Sequence, residues 1–131
     1  MRRIVLSGVE HPHETNEQLV MEYFKRISLN DIDGLLKLFS NNATIFQPFS
    51  KSAIVGKSQI EPFLKTVLMA NNGMQREVRI ERNRGDNTQL TVFVTFLKSA
   101  ILKGKFTFKV VNTKNSHLVG RIKSLKIEFV D

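Results

Sequence analysis

The feature that most limits how this chain can fold is a change of period at Gly73. Before it, apolar residues recur at helical spacing; after it, they alternate as in strands. Leu19, Val20, Tyr23, Phe24 and Ile27 make one face of a first helix, opened by the capping box Thr15-Asn16-Glu17-Gln18. Asn30-Asp31 breaks it. Ile32, Leu35, Leu36 and Phe39 then form the stripe of a short second helix, ended by Ser40-Asn41-Asn42. Ala43 to Gln47 reads as a strand stopped by Pro48. Ser58-Gln59-Ile60-Glu61 opens a third helix with the stripe Ile60, Phe63, Leu64, Val67 and Leu68. Pro62 is expected in its first turn, where a missing amide costs least. Asn71-Asn72-Gly73 closes it.

The rest reads as a meander. Gln75 to Arg82 alternates, with Val78 and Ile80 on one face, and Gly85-Asp86-Asn87 turns the chain. Leu90 to Leu97 is apolar on both faces: Leu90, Val92, Val94 and Phe96 on one, Phe93 and Leu97 on the other. Lys103 to Val111 sets Phe106, Phe108 and Val110 against Lys105, Thr107 and Lys109. After a turn at Asn112 to Ser116, Arg121 to Val130 is the last strand. Its apolar parity shifts between Ile122 and Leu125, which predicts a β-bulge of the kind curved sheets need. Helices first and strands after predict an α+β fold. The 131 residues fit one domain. Residues 1–13 are expected to be a tail or short extra strand, and residues 14–131 the domain.

Composition removes several classes of function. There is no cysteine, so disulfides and thiolate metal sites are excluded, and the chain fits the cytoplasm. No apolar run is long enough to span a bilayer. The basic, then apolar start, Met1 to Gly8, is too short for a secretory signal. Net charge is +8, and it is uneven: between Asn87 and Ile127 there is no Asp or Glu. Lys103, Lys105 and Lys109 share one strand face, which reads as the solvated side of a sheet. Nucleic-acid binders often interleave aromatics for stacking, but here Phe106 and Phe108 point the other way, so nucleic acid is not an expected partner.

Several segments together resemble the nuclear transport factor 2-like (SnoaL-like) superfamily. They are Asn30-Asp31-Ile32-Asp33-Gly34-Leu35-Leu36-Lys37-Leu38-Phe39, then Asn42-Ala43-Thr44-Ile45 and Pro48. Gly56, the helix with Ile60, Phe63 and Leu64, and Gly120-Arg121-Ile122-Lys123-Ser124-Leu125 complete the set. The likeness runs over about residues 15–130. It implies three N-terminal helices packed on a curved, mostly antiparallel sheet that forms a cone. It does not imply a reaction, because the superfamily holds isomerases, cyclases, epoxide hydrolases, dehydratases, transport factors and non-catalytic binding domains.

The ketosteroid isomerase members use a carboxylate base at the end of the first strand, a tyrosine from the first helix and a protonated acid from a later strand. Carried over, the base position is Gln47, a neutral amide. The tyrosine matches Tyr23, the only Tyr in the chain. The second acid has no counterpart, and Leu64 replaces an aromatic partner of the tyrosine. Ketosteroid-type isomerisation is therefore not expected, and no catalytic residue is assigned.

Tyr23 and Gln47 remain a candidate polar pair at the mouth of an apolar cone, with Phe46, Phe49, Phe63 and Phe96 as walls. The alternative is that Tyr23 is a core residue with its hydroxyl satisfied at the rim. His11-Pro12-His13, with Glu10 and Glu14, matches no metal-ligand spacing, so neither metal nor cofactor is expected. Asp31 and Asp33 are explained by capping. His117 stands in a turn without an acid near it in sequence.

Two functions follow as expectations. One is a domain that binds an apolar or amphipathic small molecule, with room for catalysis by a route that needs no carboxylate pair. The other is a non-catalytic dimerisation or protein-interaction module. An open cone with Tyr23 and Gln47 inside favours the first, and a cone plugged by Phe side chains favours the second. A homodimer is expected in either case, because only one apolar face of Leu90 to Leu97 can line the cone.

Overall fold

The computed structural model describes residues 12–71, 74–81, 88–97, 101–111 and 120–130. Among these residues three helices, α1 (Pro12–Ser28), α2 (Ile32–Lys37) and α3 (Lys57–Asn71), pack on one sheet. Its strands are β1 (Phe39–Phe46), β2 (Ile54–Val55), β3 (Gln75–Glu81), β4 (Gln89–Leu97), β5 (Ile101–Val111) and β6 (Arg121–Val130). Their order is β2-β1-β6-β5-β4-β3; every pair is antiparallel except β1 with β6. The expected turns at 85–87 and 112–116, the 72–73 end of α3, His11 and His117 lie outside the described residues.

Helix α1 starts at Pro12, three residues ahead of the capping box at Thr15. Proline suits a first helical position, where its absent N–H is not missed. The break after α1 has a clear local cause. Asn30 takes a left-handed φ of 58°, which asparagine tolerates better than most residues. Asp31 then caps α2, accepting from the Gly34 N–H at 2.9 Å and from the Arg26 guanidinium at 2.8 Å. The Gly34 amide, with help from Arg26, holds its carboxyl below the usual carboxylate range against the opposing cost of desolvation. A Cβ at Gly34 would collide with that same carboxylate and with the Arg26 side chain, so the glycine belongs to the cap.

Strand β1 begins at Phe39, earlier than Ala43. The polar Ser40-Asn41-Asn42 therefore starts a strand instead of ending a helix. Pairing overrides local propensity here: Ile122 donates its N–H to the Leu38 carbonyl at 2.7 Å, and Phe39 lies beside Ile122 in parallel register. β2, which the alternation did not reveal, folds back on β1 through Thr44–Val55 and Ile45–Ile54. Gly56 follows with a φ of 83°, donates to the Ala43 carbonyl at 2.8 Å, and accepts from the Gln59 and Ile60 amides. That puts the start of α3 at Lys57 and moves Pro62 into the second turn, where it removes an interior hydrogen bond.

The bulge stands where parity placed it. Lys109 lies opposite Ser124 and Val110 opposite Ile122, which leaves Lys123 as the extra residue. The core lies between the helices and the concave face. Leu19, Val20, Leu35, Ile45, Ile60, Leu64, Val92, Phe108, Ile122 and Leu125 are fully buried there. On the outer face Lys103 and Lys109 are exposed, and Phe93 is half-buried under the Arg79 guanidinium, 4.9 Å from its ring centroid. Among the described residues no helix is long and apolar enough to cross a membrane.

Candidate functional site

At one end of the fold, α1 and α3 do not close on the sheet. They leave a cavity of about 450 Å³. Its walls are Tyr23, Phe24 and Ile27 of α1, Phe63, Thr66, Val67 and Ala70 of α3, and the sheet residues Arg76, Phe96, Phe106, Ile127 and Phe129. Gln47, Pro48 and Phe49, in the turn after β1, and Met74 complete the rim.

Four polar side chains interrupt this apolar lining. Tyr23 is only 2% exposed, and its ring meets Phe24, Phe108 and Phe39 edge-on at 5.1, 5.3 and 6.2 Å. Such edge contacts fix the ring and aim its hydroxyl. Burial pushes that hydroxyl's pKa well above its ordinary value, against the pull of Arg76, so Tyr23 is a neutral hydrogen-bond donor. Gln47 uses its amide oxygen locally, accepting from the Phe49 N–H at 3.0 Å, which shapes the turn at the mouth. Thr66 donates back to the Pro62 carbonyl at 3.1 Å. Arg76 projects from β3 beside Phe96, its cross-strand neighbour, and donates to the Ser28 hydroxyl at 2.9 Å. Burial lowers its pKa, partly offset by Tyr23.

Of the residues singled out in the sequence, Tyr23, Gln47, Phe49, Phe63 and Phe96 come together on this cavity. Phe46 does not. Ile45 points inward, so strand alternation turns Phe46 to the other face, where it is 46% exposed. Phe49 stands at the rim, 81% exposed, against Phe129 at 5.4 Å.

The residue that sequence reasoning missed is Arg76. The signal was present: it shares the parity of Val78 and Ile80, so a cation stood on an inward face. Glu77 and Glu81 have the opposite parity and are exposed. Glu128 meets Lys126 at 3.8 Å and lies across from Lys105. Among the described residues, therefore, no carboxylate lines the cavity and no group of three metal-ligating side chains occurs. The site can bind, orient and hydrogen-bond an oxygen. It offers no carboxylate base. A second depression, between α1 and α2, is lined by charges that answer one another, with Arg26 paired to both Glu22 and Asp31.

No family model and no curated protein matches this chain. Solved structures do. A SnoaL-like protein of unknown function from Burkholderia thailandensis is 11% identical with a TM-score of 0.70, over 93% of this chain and 100% of that one. The epoxide hydrolase/cyclase-like enzyme SalBIII, with a role in pyran ring formation in polyether salinomycin, is 19% identical with a TM-score of 0.68. That match covers 89% of this chain and 92% of the enzyme. An NTF2-like protein of unknown function from Cytophaga hutchinsonii is 12% identical with a TM-score of 0.61, over 88% and 89%. At such identities the likeness speaks for architecture: the chain has the nuclear transport factor 2-like fold.

Proposed function

We propose that this protein is a small-molecule-binding domain whose ligand enters the cone between α1, α3 and the sheet. The observation that carries this reading is the open cavity of about 450 Å³ with Tyr23 and Gln47 on its wall. Ligand pockets have this size range and this character, mostly apolar with few converging polar groups. Some structures of this shape belong to enzymes, SalBIII among them, so the fold is compatible with chemistry on a bound molecule.

The test is binding of a neutral apolar fluorophore, N-phenylnaphthylamine. Its emission is expected to rise with the wild-type protein. Ala70→Trp, which places an indole into the cavity from an exposed helix position, is expected to abolish that rise with little change in melting temperature. No emission change, or equal binding by both proteins, would overturn the proposal.

A second reading, self-association through the outer sheet face, is favoured by the exposure of Phe46, Leu97 and Val111 there. The same face carries Lys103, Lys105, Lys109 and Lys126. A two-fold interface would bring these like charges together, so a dimer is expected to tighten as salt is added. Light scattering at micromolar concentration, with and without added salt, decides it; a monomer under both conditions refutes it.

A further inference from the structure

Of the described residues that line the cavity, Arg76 is the only one ionised at neutral pH. It lies across from Phe96 in the β3–β4 register, and one of its nitrogens donates to the Ser28 hydroxyl. That bond satisfies a donor but neutralises no charge. No carboxylate among the described residues compensates Arg76: Glu77 and Glu81 leave the opposite face of its strand, and Glu22 is paired with Arg26. A guanidinium partly withdrawn from water without a counter-charge is costly, and an incoming anion relieves that cost. Burial already lowers its pKa.

The second donor is close by. Tyr23 lies on the same wall, its hydroxyl held neutral, and the two groups are near enough to influence each other's ionisation. Of the other polar lining residues, Gln47 gives its amide oxygen to the Phe49 N–H and Thr66 gives its hydroxyl proton to the Pro62 carbonyl, while Phe24, Phe63, Phe106 and Ile127 supply apolar surface.

From this arrangement we infer that the pocket takes an amphipathic monoanion, an apolar body bearing one carboxylate, with Arg76 binding the carboxylate and the Tyr23 hydroxyl as its second donor. The planar guanidinium keeps further N–H groups free beside the one given to Ser28, and their fork matches a carboxylate. A single facing cation suits a single negative charge better than a phosphate dianion. The inference rests on the pocket reading proposed above.

The experiment is calorimetric titration of the full chain with hydrocinnamate and naphthoate, each compared with its neutral primary amide. Each acid is expected to bind about tenfold or more tighter than its amide, the range of a charge-assisted pair. Arg76→Met keeps the stem and is expected to erase that preference, bringing acid and amide to similar affinity, while a melting temperature close to that of the wild type reports an intact fold. Tyr23→Phe is expected to reduce the preference by a smaller factor. Equal binding of acid and amide by the wild type, or a preference that survives Arg76→Met, overturns the inference and leaves the pocket reading standing. Binding of neither acid nor amide overturns both.

Discussion

The two ends of the fold use the same elements for opposite purposes. In α1, Leu19 and Val20 are sealed in the core, whereas Ile27, two turns on, faces the cavity. In α3, Ile60 and Leu64 are fully buried, while Phe63, Thr66, Val67 and Ala70 look into open space. In β6, Ile122 and Leu125 close the narrow end, and Ile127 and Phe129 line the wide one. The hydrophobic stripes run through both ends without a break. What separates the ends is the polar content of the inward positions. At the narrow end the buried set is apolar apart from Asn16; at the wide end Tyr23, Gln47, Thr66 and Arg76 all face in. A stripe can therefore change from core to ligand wall along one helix, and inward polar residues mark where.

Truncations should break the symmetry between the two ends most visibly. Leu125→Ala at the narrow end removes a fully buried side chain and leaves a cavity, so a loss of about 2–5 kcal/mol in urea unfolding is expected. Phe63→Ala at the wide end removes a half-buried ring that already borders a void. A loss nearer 1 kcal/mol is expected, from the smaller apolar area it withdraws from water. Equal losses would mean that the wide end is closed in solution and that both ends form one core.

Tyr23 gives an intermediate effect and a clean signal, because the chain has one Tyr and no Trp. Its pKa in the fold is raised, by burial first, above the value of about 10 it has when unfolded. Its contribution to stability is thus fully present below that unfolded pKa. It is lost as pH rises from there through the folded pKa, because the unfolded state releases the proton first. Phenolate absorbance is expected to appear only together with unfolding, and Tyr23→Phe is expected to remove part of the alkaline loss of stability. Titration near the ordinary value in the folded protein would show that water reaches the hydroxyl freely.

How much of this was legible in the sequence depended on how local the cause was. The Asn30-Asp31 break, the inward parity of Phe106, Phe108 and Val110, and the bulge beside Ile122 all follow from short-range chemistry or from period, and each was readable. The start of β1 was not. The strand begins with Phe39 pairing in parallel with Ile122 of β6, about 80 residues away along the chain, and Ser40-Asn41-Asn42 fall in the register shift between that pair and Thr44 with Ser124. β2 has only two residues, too few for a pattern. Phe24, Phe106 and Ile127 carried the marks of core residues, because wall and core have the same composition. Arg76 was the readable clue, a cation in the inward register of Val78 and Ile80. Phe46 shows the opposite case: its chemistry suited the pocket, and its parity excluded it.

The outer sheet face should give a weaker response than either end of the cone. Lys103, Lys105 and Lys109 form its basic ridge, while Phe106 and Phe108 are buried on the other side. Phe93, the aromatic across from Lys105, is covered by the Arg79 guanidinium, so binding to a polyanion rests mainly on charge neutralisation, which falls steeply with salt. Heparin or single-stranded DNA is expected to bind weakly at low ionic strength and not measurably at physiological salt. Binding that persists there would give the outer face a function of its own.

The smallest expected effect is the turnover of a β,γ-unsaturated ketosteroid, for which no activity above background is expected. The shape of the pocket does not forbid such a substrate; its chemistry does. Proton abstraction beside a carbonyl needs a base of suitable pKa within hydrogen-bond reach. At the end of β1 the chain offers Gln47, and the amide oxygen of Gln47 is committed to the Phe49 N–H. A relocated carboxylate would serve, but Glu77 and Glu81 leave the outer face of β3, and Glu128 sits with Lys126 on the outer side of β6. The developing oxyanion would still find Tyr23 and Arg76, so the wide end keeps donors for an oxygen while lacking the group that creates the charge. Losing one such donor typically costs about 10²–10³ in rate, and lacking the base removes the step itself. Measured turnover that disappears in Tyr23→Phe would show a base acting from a place that the described residues do not supply. It would turn the contrast between the two ends from binding against packing into catalysis against packing.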